Sequence, residues 1–195
     1  AWLEAGGIPK ASGRLVQECG IGLVDLRMKN SRLAFKAPAL LRSGPVDNVT
    51  LIRSIAALGI SVGDVIHSNW VDNGPGWLGL VLRSAETVLG VRPDFVAMGD
   101  LRIGIIGAYG PGGPADFEVR AFEPSLSVGE DPVTGSLNAG LGIWLIAAGL
   151  ASESYSVRQG TVLGRSGEVS VCRDTAGEVW VGGAIRTLLR GTLEW

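Results

Sequence analysis

An almost wholly apolar segment constrains the fold of this 195-residue chain more than any other feature. Residues 137–149 read LNAGLGIWLIAAG, with one amide as their only strongly polar side chain. Just before them, Asp131 is a favoured N-cap residue and Pro132 suits the first position of a helix. We therefore predict a helix over residues 131–149. Because a helix that is apolar on every side is buried on every side, it should lie inside the protein.

The start of this helix is a candidate site for chemistry. Thr134, Gly135 and Ser136 fall in its predicted first turn. Backbone N–H groups there have no partner within the helix and favour an anion. Asp131 would add an acidic side chain beside them. Plain capping explains the same residues without a ligand, so the pattern leaves both interpretations open.

Composition excludes several classes of protein. The 46% hydrophobic and 18% charged content is typical of a soluble globular protein of one or two domains. A net charge of −2 gives no basic surface for nucleic acid. The most apolar run, residues 139–151, is too short to cross a bilayer, and the first residues do not resemble a signal peptide. We expect a cytoplasmic protein without a membrane partner.

Few residues offer metal or thiol chemistry. Cys19 and Cys172 lie in strand-like contexts and are expected to be reduced, although a facing pair of thiols remains an alternative. His67 is the only histidine, which excludes a site with several histidine ligands. We therefore expect no metal site built from several histidines.

The remaining pattern predicts short strands mixed with helices. Helices are expected at 48–58 and 84–90. Strands are expected within 14–27 and at 32–37, 65–70, 77–82, 101–108, 117–122, 155–159, 168–172 and 178–182.

The sequence also contains a weak internal repeat. When Trp2 is aligned with Trp144, residues 2–7 lie over 144–149, and three strands of each copy follow in step. In this alignment 15–17 matches 157–159, 23–26 matches 168–171, and 31–35 matches 177–181. The repeat predicts that residues 1–7 are the last two turns of a helix. Chance similarity between glycine-rich strands is the alternative.

The repeat also predicts how the chain is divided. Residues 74–142 precede the second copy, and nothing equivalent precedes Ala1. We therefore expect a partial N-terminal lobe over 1–63, lacking its front, and a C-terminal lobe over 64–195.

Five motifs resemble one known family. The segment EDPVTGS at 130–136 resembles the second-half signature of the phenazine-biosynthesis PhzF-like isomerases, which are relatives of diaminopimelate epimerase. The other motifs follow the family's order: NGPGW at 73–77, VRAFEP at 119–124, VRQG at 157–160 with LGR at 163–165, and VWVGG at 179–183. The signature departs at Leu137 and Asn138, where the phenazine enzyme has Ala-His.

The resemblance implies an α+β fold of the diaminopimelate-epimerase type. Two pseudo-repeated lobes would each wrap an antiparallel sheet around a central helix, with the first lobe incomplete here. The active site would lie between the lobes, near the helix N-termini. Family members use no cofactor or metal and transfer a proton between positions of a small carboxylic or amino acid. In the phenazine enzyme this isomerises a dihydro-hydroxyanthranilate.

The resemblance also assigns roles to residues. Asp131 is the expected acidic catalytic residue. The expected substrate-binding residues are Asn73, Gly74, Thr134, Gly135, Ser136, Gln159 and Gly160. For Asn73 and Gln159 an ordinary turn or strand-end hydrogen bond is an equal alternative. The family's proton-shuttling glutamate and its Gly-His-Pro motif would precede Ala1.

Two functions follow as hypotheses. The first is a PhzF-like isomerase or epimerase that is inactive or impaired as this shortened chain. The second is a non-catalytic module that binds a small acid or assembles with other chains. A homodimer is expected because a broken lobe exposes apolar strand flanks. A racemase using Cys19 and Cys172 is a weaker third hypothesis.

Overall fold

The computed structural model describes residues 2–29, 32–125 and 129–192, which form one mixed sheet and four α-helices. The strands are β1 (Arg14–Cys19), β2 (Gly22–Lys29), β3 (Arg32–Lys36), β4 (Arg42–Gly44), β5 (Val65–Asp72), β6 (Trp77–Leu82), β7 (Arg102–Ala108), β8 (Phe117–Phe122), β9 (Glu130–Asp131), β10 (Ser154–Gln159), β11 (Gly167–Arg173) and β12 (Val179–Gly183). The helices are α1 (Asn48–Leu58), α2 (Ala85–Gly90), α3 (Phe95–Met98) and α4 (Gly135–Ala147).

The order of strands in the sheet is β1-β2-β3-β12-β11-β10-β8-β7-β6-β5-β4, and β9 pairs with β8. Most neighbours are antiparallel, as predicted. Two pairs, β6 with β7 and β8 with β10, are parallel, so the sheet is mixed. Each parallel pair is joined by a long connection that carries a helix, which is the connection that parallel neighbours require.

The internal repeat is visible in the sheet. Strands β1, β2 and β3 form one antiparallel meander, and β10, β11 and β12 form another. The two meanders meet through the antiparallel pair β3–β12, in which Phe35 lies opposite Val181. The sequence alignment of the repeat equates these same two residues. A pseudo-two-fold axis therefore passes through the Phe35–Val181 pair.

Helix α4 is the central helix of the second copy. It packs against β5, β6, β11 and β12, and it is buried over most of its length. Glycines allow the strands to come close. A Cβ atom on Gly140 would lie 2.2 Å from the carbonyl oxygen of Val71, and one on Gly142 would lie 2.8 Å from Val171 Cγ1.

The predicted start of this helix, at Asp131, is wrong by four residues. Asp131 belongs to β9 and pairs with Ala121 of β8, so its backbone is extended and it cannot serve as the N-cap. Thr134 is the N-cap residue instead, with φ −112° and ψ 102°. The helix ends at Ala147 rather than at residue 149, because Gly149 adopts the left-handed conformation with φ 68°.

Residues 2–7 form a hydrogen-bonded turn and not the two predicted helical turns. Gly6 N donates to Leu3 O, and Gly7 N donates to Trp2 O. The same pair of bonds ends α4, where Gly149 N donates to Ile146 O and Leu150 N to Leu145 O. This is the Schellman arrangement that closes a helix.

A second hydrophobic core lies between the other helices and β5–β8. Helix α1 is capped by Asp47 and packs against α3, and its buried Ala57 and Leu58 join this core. The helix therefore contacts strands of the predicted C-terminal lobe. The lobe boundary at residues 63 and 64 remains a prediction. Within the described ranges, no helix is both long enough and apolar enough to span a membrane.

Candidate active site

The turn between β5 and β6 brings Asn73 and Gly74 to the N-terminus of α4. Asp72 Oδ1 shapes this turn by accepting hydrogen bonds from Gly74 N and Gly76 N, both at 2.7 Å. Asn73 Nδ2 then donates to the Ser136 carbonyl oxygen at 2.9 Å. Two segments that lie 63 residues apart in the sequence are joined by this bond.

The direction of that bond fixes the Asn73 amide. A carbonyl oxygen can only accept, so Nδ2 must face Ser136 and Oδ1 must face away. Asn73 is 3% exposed, and its buried Oδ1 has no hydrogen-bond partner among the described residues. A buried acceptor without a donor carries a free-energy cost that a ligand donor would remove.

Ser136 is oriented in a similar way. Trp77 Nε1 donates to Ser136 Oγ at 2.9 Å. Because an indole N–H is a donor only, Ser136 Oγ is the acceptor in this bond and its own hydrogen remains available for another acceptor. Within the part of the chain that the structure describes, no side chain caps α4, so the N–H groups of its first turn are without a side-chain partner there.

A cavity of about 720 Å³ opens beside these groups. One wall carries Asn73, Gly74, Pro75 and Ser136, and the facing wall belongs to the first meander and the loop after it. None of the described lining residues is ionisable. The facing wall consists of Gln17, Gly20, Ile21, Val24, Leu26, Phe35, Pro38 and Leu41.

The other predicted site residues form a polar cluster just behind the N-terminus of α4. Gln159 donates through Nε2 to Asp131 O at 3.0 Å and to Thr134 Oγ1 at 2.9 Å. Its Oε1 accepts from Thr134 N at 3.1 Å and from Asn138 Nδ2 at 2.8 Å. Thr134 Oγ1 in turn donates to Asp131 Oδ2 at 2.6 Å. Gln159 therefore makes all four of its hydrogen bonds within the protein.

Gly160 allows this cluster to form. Its φ is 83°, and a Cβ atom there would lie 2.7 Å from the Pro132 carbonyl oxygen. A side chain at this position would push the end of β10 away from the Asp131 segment. Gly160 therefore holds the two segments close together and does not line the cavity.

The structure thus places the predicted residues in two groups. Asn73, Gly74 and Ser136 line the cavity, whereas Asp131, Thr134 and Gln159 form the cluster behind it. Gly135 lies between the groups, against the Phe35 ring.

Two contributing residues were not predicted as site residues. Asn138 is 1% exposed and binds Gln159 and Thr134. Its position four residues after Thr134 places both on one helix face, a spacing that would have revealed it. Trp77 was noticed only as part of a motif, and nothing in the sequence indicates its bond to Ser136.

The two cysteines do not face each other, so the racemase hypothesis based on them is wrong. Cys19 lies in edge strand β1 and Cys172 in β11, with β2, β3 and β12 between them. Four strand spacings amount to roughly 19 Å. The described residues also contain no group of three acidic, histidine or cysteine side chains arranged for a metal.

A buried carboxyl group lies near the cluster, on β8. Glu118 Oε2 accepts from Tyr109 Oη at 2.7 Å and from Thr161 Oγ1 at 3.0 Å. Burial is the main cause that raises the pKa of Glu118, against these two bonds. Burial, reinforced by the bond to Glu118, also raises the pKa of Tyr109 to about 12.

A buried helix wrapped by strands, with its N-terminus beside a cavity, is the arrangement of a cleft-type α+β protein. The family model for phenazine biosynthesis-like proteins, PhzC-PhzF, matches residues 3–190. The chain belongs to this family.

Individual relatives agree. The chain is 30% identical to antisense-enhancing sequence 1 of Schizosaccharomyces pombe over 98% of its length and 70% of that protein. It is 33% identical to an uncharacterised isomerase of Pseudomonas aeruginosa over 62% of its length and 42% of that protein. The chain thus matches less than half of the second relative.

Solved structures share the fold. A PhzF-family protein from Enterococcus faecalis superimposes with a TM-score of 0.68 and 25% identity, over 93% of this chain and 64% of that one. A PhzC/PhzF protein from Clostridium difficile gives a TM-score of 0.72 at 18% identity, over 100% and 70% of the two chains. These similarities confirm the predicted α+β fold of the diaminopimelate-epimerase type.

Proposed function

We propose that this chain supplies one side of the active site of a cofactor-independent isomerase or epimerase that moves a proton on a small amino or hydroxy acid. The observation that carries the proposal is the pair of opposed polar groups at the cavity: an oriented hydroxyl donor on Ser136 and an unpaired acceptor on Asn73. The PhzF-like family and its isomerase relatives support the reaction class.

The carboxylate of the substrate would bind at the N-terminus of α4. Ser136 Oγ has a hydrogen to donate because Trp77 occupies it as an acceptor. The uncapped first turn adds backbone N–H groups and the positive end of the helix dipole. These groups also stabilise negative charge that develops on the carboxylate side when a proton leaves carbon.

The second group of the substrate would bind Asn73. The buried Oδ1 needs a donor, which an amine, an ammonium or a hydroxyl supplies and a simple carboxylate does not. The proposal therefore favours a bifunctional acid, with its donor a few ångströms from its carboxylate, over a plain carboxylic acid.

Asp131 is the proposed acid–base residue of this side of the site. The described cavity lining has no ionisable side chain, so a base must reach the substrate from beyond that lining. Asp131 adjoins the helix N-terminus through its bond from Thr134 and belongs to the signature at 130–136.

Calorimetric titration with anthranilate and benzoate tests the binding part. Anthranilate carries an amine beside its carboxylate, and benzoate is the same ring without it. We expect anthranilate to bind about tenfold more tightly, because satisfying one buried acceptor is worth about 1–3 kcal/mol.

Two variants give this titration its controls. Asn73→Ala should bring the two affinities together, whereas Ser136→Ala should weaken both ligands to a similar degree. Equal binding of the two ligands by the unmodified chain, or no binding of either, would contradict the proposal.

Proton transfer is tested separately by incubating amino and hydroxy acids with the protein in D₂O and following deuterium incorporation at carbon by NMR. We expect incorporation that Asp131→Asn abolishes. Binding without incorporation would favour the second hypothesis, a module that binds a small acid without turning it over.

The non-catalytic alternative has one observation of its own. The described cavity lining lacks an acid or a base, while large apolar side chains of the first meander, such as Val16 and Leu23, are 54% and 75% exposed. Such a surface favours assembly, and a homodimer remains our expectation. Light scattering decides it: a monomer at all concentrations would remove the assembly function.

A further inference from the structure

We propose that Asn138 and Gln159 are positioning residues that fix the direction of the side-chain hydrogen bonds reaching Asp131, leaving Asp131 Oδ1 to take and release the substrate proton. The inference rests on the proposed function for the role of Asp131. It follows from counting which atoms in the cluster can donate and which can only accept.

The direction is set first at Asn138. Its Nδ2 lies 2.8 Å from Thr134 O and 2.8 Å from Gln159 Oε1. The backbone carbonyl oxygen can only accept, so the Asn138 amide cannot be rotated to present its oxygen there. Both hydrogens of Asn138 Nδ2 are therefore used, and one of them points at Gln159.

The hydrogen bond from Asn138 in turn fixes the orientation of the Gln159 side-chain amide. Its Oε1 receives two donors, Asn138 Nδ2 and the backbone N–H of Thr134. Its Nε2 must then face the other way, where Asp131 O and Thr134 Oγ1 accept its two hydrogens. A reversed amide would place two acceptors against each other and two donors against each other.

Thr134 makes the last hydrogen bond of the series, the one that reaches the Asp131 carboxylate. Its Oγ1 already accepts a hydrogen from Gln159, so its own hydrogen is directed to Asp131 Oδ2 at 2.6 Å. Asp131 Oδ2 is thereby held as an acceptor, which favours protonation at the other carboxyl oxygen. Asp131 Oδ1 has no protein donor among the described residues, so it is the oxygen that remains for a substrate.

Because these side chains are buried, water cannot readily replace the hydrogen bonds between them. Gln159 is fully buried, Asn138 is 1% exposed and Thr134 is 6% exposed. In such surroundings a lost partner leaves a donor or acceptor unsatisfied rather than hydrated. The cluster therefore holds Asp131 in one orientation and one hydrogen-bonding state, which is the preorganisation that proton transfer requires.

The first test measures hydrogen exchange of side-chain amides by NMR and needs no catalytic activity. The chain has two glutamines, the buried Gln159 and the exposed Gln17, which serves as an internal reference. Both Nε2 hydrogens of Gln159 should exchange at least about 10²-fold more slowly than those of Gln17, since opening a buried bonded group costs several kcal/mol.

Matched variants at Thr134 test the hydrogen bond from Gln159 Nε2 to the Thr134 hydroxyl. Thr134→Val removes the hydroxyl at constant size and should move the NMR signal of one Gln159 Nε2 hydrogen upfield, because that hydrogen loses its acceptor, while the signal of the hydrogen on Asp131 O stays in place. Thr134→Ser keeps the hydroxyl and should preserve both. Fast exchange in the unmodified chain, or unchanged chemical shifts of both Gln159 hydrogens in Thr134→Val, would overturn the proposal.

The second test reverses the direction of the hydrogen bond between residue 159 and the Thr134 hydroxyl. In Gln159→Glu, a carboxylate oxygen replaces Nε2, so the Thr134 hydroxyl turns toward residue 159 and Asp131 loses its donor. We expect deuterium incorporation into substrate to fall about 10²-fold while the affinity for anthranilate, bound at the separate Asn73 and Ser136 groups, changes less than about twofold.

The outcomes separate the two proposals. Protected amides without any turnover by the unmodified chain would sink the proposed function and leave the hydrogen-bond direction standing. Turnover that survives both Thr134→Val and Gln159→Glu would sink the positioning role alone. If Thr134→Val does not fold, as judged by near-UV circular dichroism, the comparison of Gln159→Glu with Thr134→Ser decides.

Discussion

The two meanders, β1–β3 and β10–β12, have the same connectivity and opposite surroundings. Each is a run of three antiparallel strands, and they are related through the Phe35–Val181 pair. The second meander packs on α4 and buries Val169, Val171 and Val181. In the first, β1 has no fully buried residue.

The difference shows that the strand pattern and the core are separate requirements. Alternating residues and turn glycines suffice to form each meander. Only the meander that faces a helix converts its apolar face into buried area, which is the main source of stability. The cavity lies where the first meander faces the N-terminus of α4, so the partly exposed apolar residues of one copy form the cavity wall opposite the helix of the other.

The largest effect on stability is expected from a substitution that disturbs the packing of α4 in the second copy. Gly140→Ala would place a Cβ atom 2.2 Å from the Val71 carbonyl oxygen, a contact that only a shift of the helix or of β5 can relieve. We expect a loss of about 3 kcal/mol in the free energy of unfolding, measured in urea, because overpacking outweighs the better helix propensity of alanine.

Its control lies in the first meander. A Cβ atom on Gly20 would meet nothing within 4 Å, so Gly20→Ala should change stability by less than about 0.5 kcal/mol. Equal losses at the two glycines would mean that the two copies are equally packed.

A smaller effect on stability is expected from substitutions at positions that the repeat makes equivalent. The repeat aligns Leu26 with Val171, and Val171 is fully buried whereas Leu26 is only partly buried. Val171→Ala should cost about 2 kcal/mol from lost burial and the cavity left behind. Leu26→Ala should cost less, although leucine loses more atoms. The reverse order in urea unfolding would show that the first meander is covered in solution.

The smallest effect concerns two carboxyl groups whose pKa values shift in opposite directions. Burial raises the pKa of Glu118 above 4.5, so its contribution to stability is present below pH 4.5 and is lost as pH rises through the folded value. Hydrogen bonds, first from Trp180 and then from the backbone, lower the pKa of Asp174 below 3.8. Its contribution is present above pH 3.8 and is lost as pH falls.

Stability curves against pH measure these signs. Glu118→Gln should become more stable relative to the unmodified chain as pH rises from 4 to 7. Asp174→Asn should recover relative stability only as pH falls below 3.8. If stability changed with pH in the same way for the two variants, burial would not govern the pKa of Glu118.

Local sequence predicted most of the elements. Helix α1 has the predicted bounds, and β6 and β8 match their predicted ranges. These segments carry their own period and their own stop signals. Strands β4 and β9 and helix α3 were missed because segments of two to four residues are too short to show a period.

The site was predicted in its residues but not in its arrangement. The signature at 130–136 drew attention to Asp131, Thr134 and Ser136, yet it gave no reason to separate Asp131 from the cavity. That separation results from the pairing of Asp131 with Ala121, which is ten residues away in the chain. Pairing at such a distance leaves no local signal.

The sequence by itself determined a buried apolar helix, two related sets of three strands and a family signature at the helix start. These depend on side-chain periodicity and on turn residues, which act over a few positions. The tertiary structure alone decided that Thr134 is the N-cap residue of α4, that Gln159 and Asn138 join Asp131 in one hydrogen-bonded cluster, and that the first meander faces the cavity. Those outcomes depend on hydrogen-bond direction and burial between segments far apart in the chain, and only the folded arrangement brings them together.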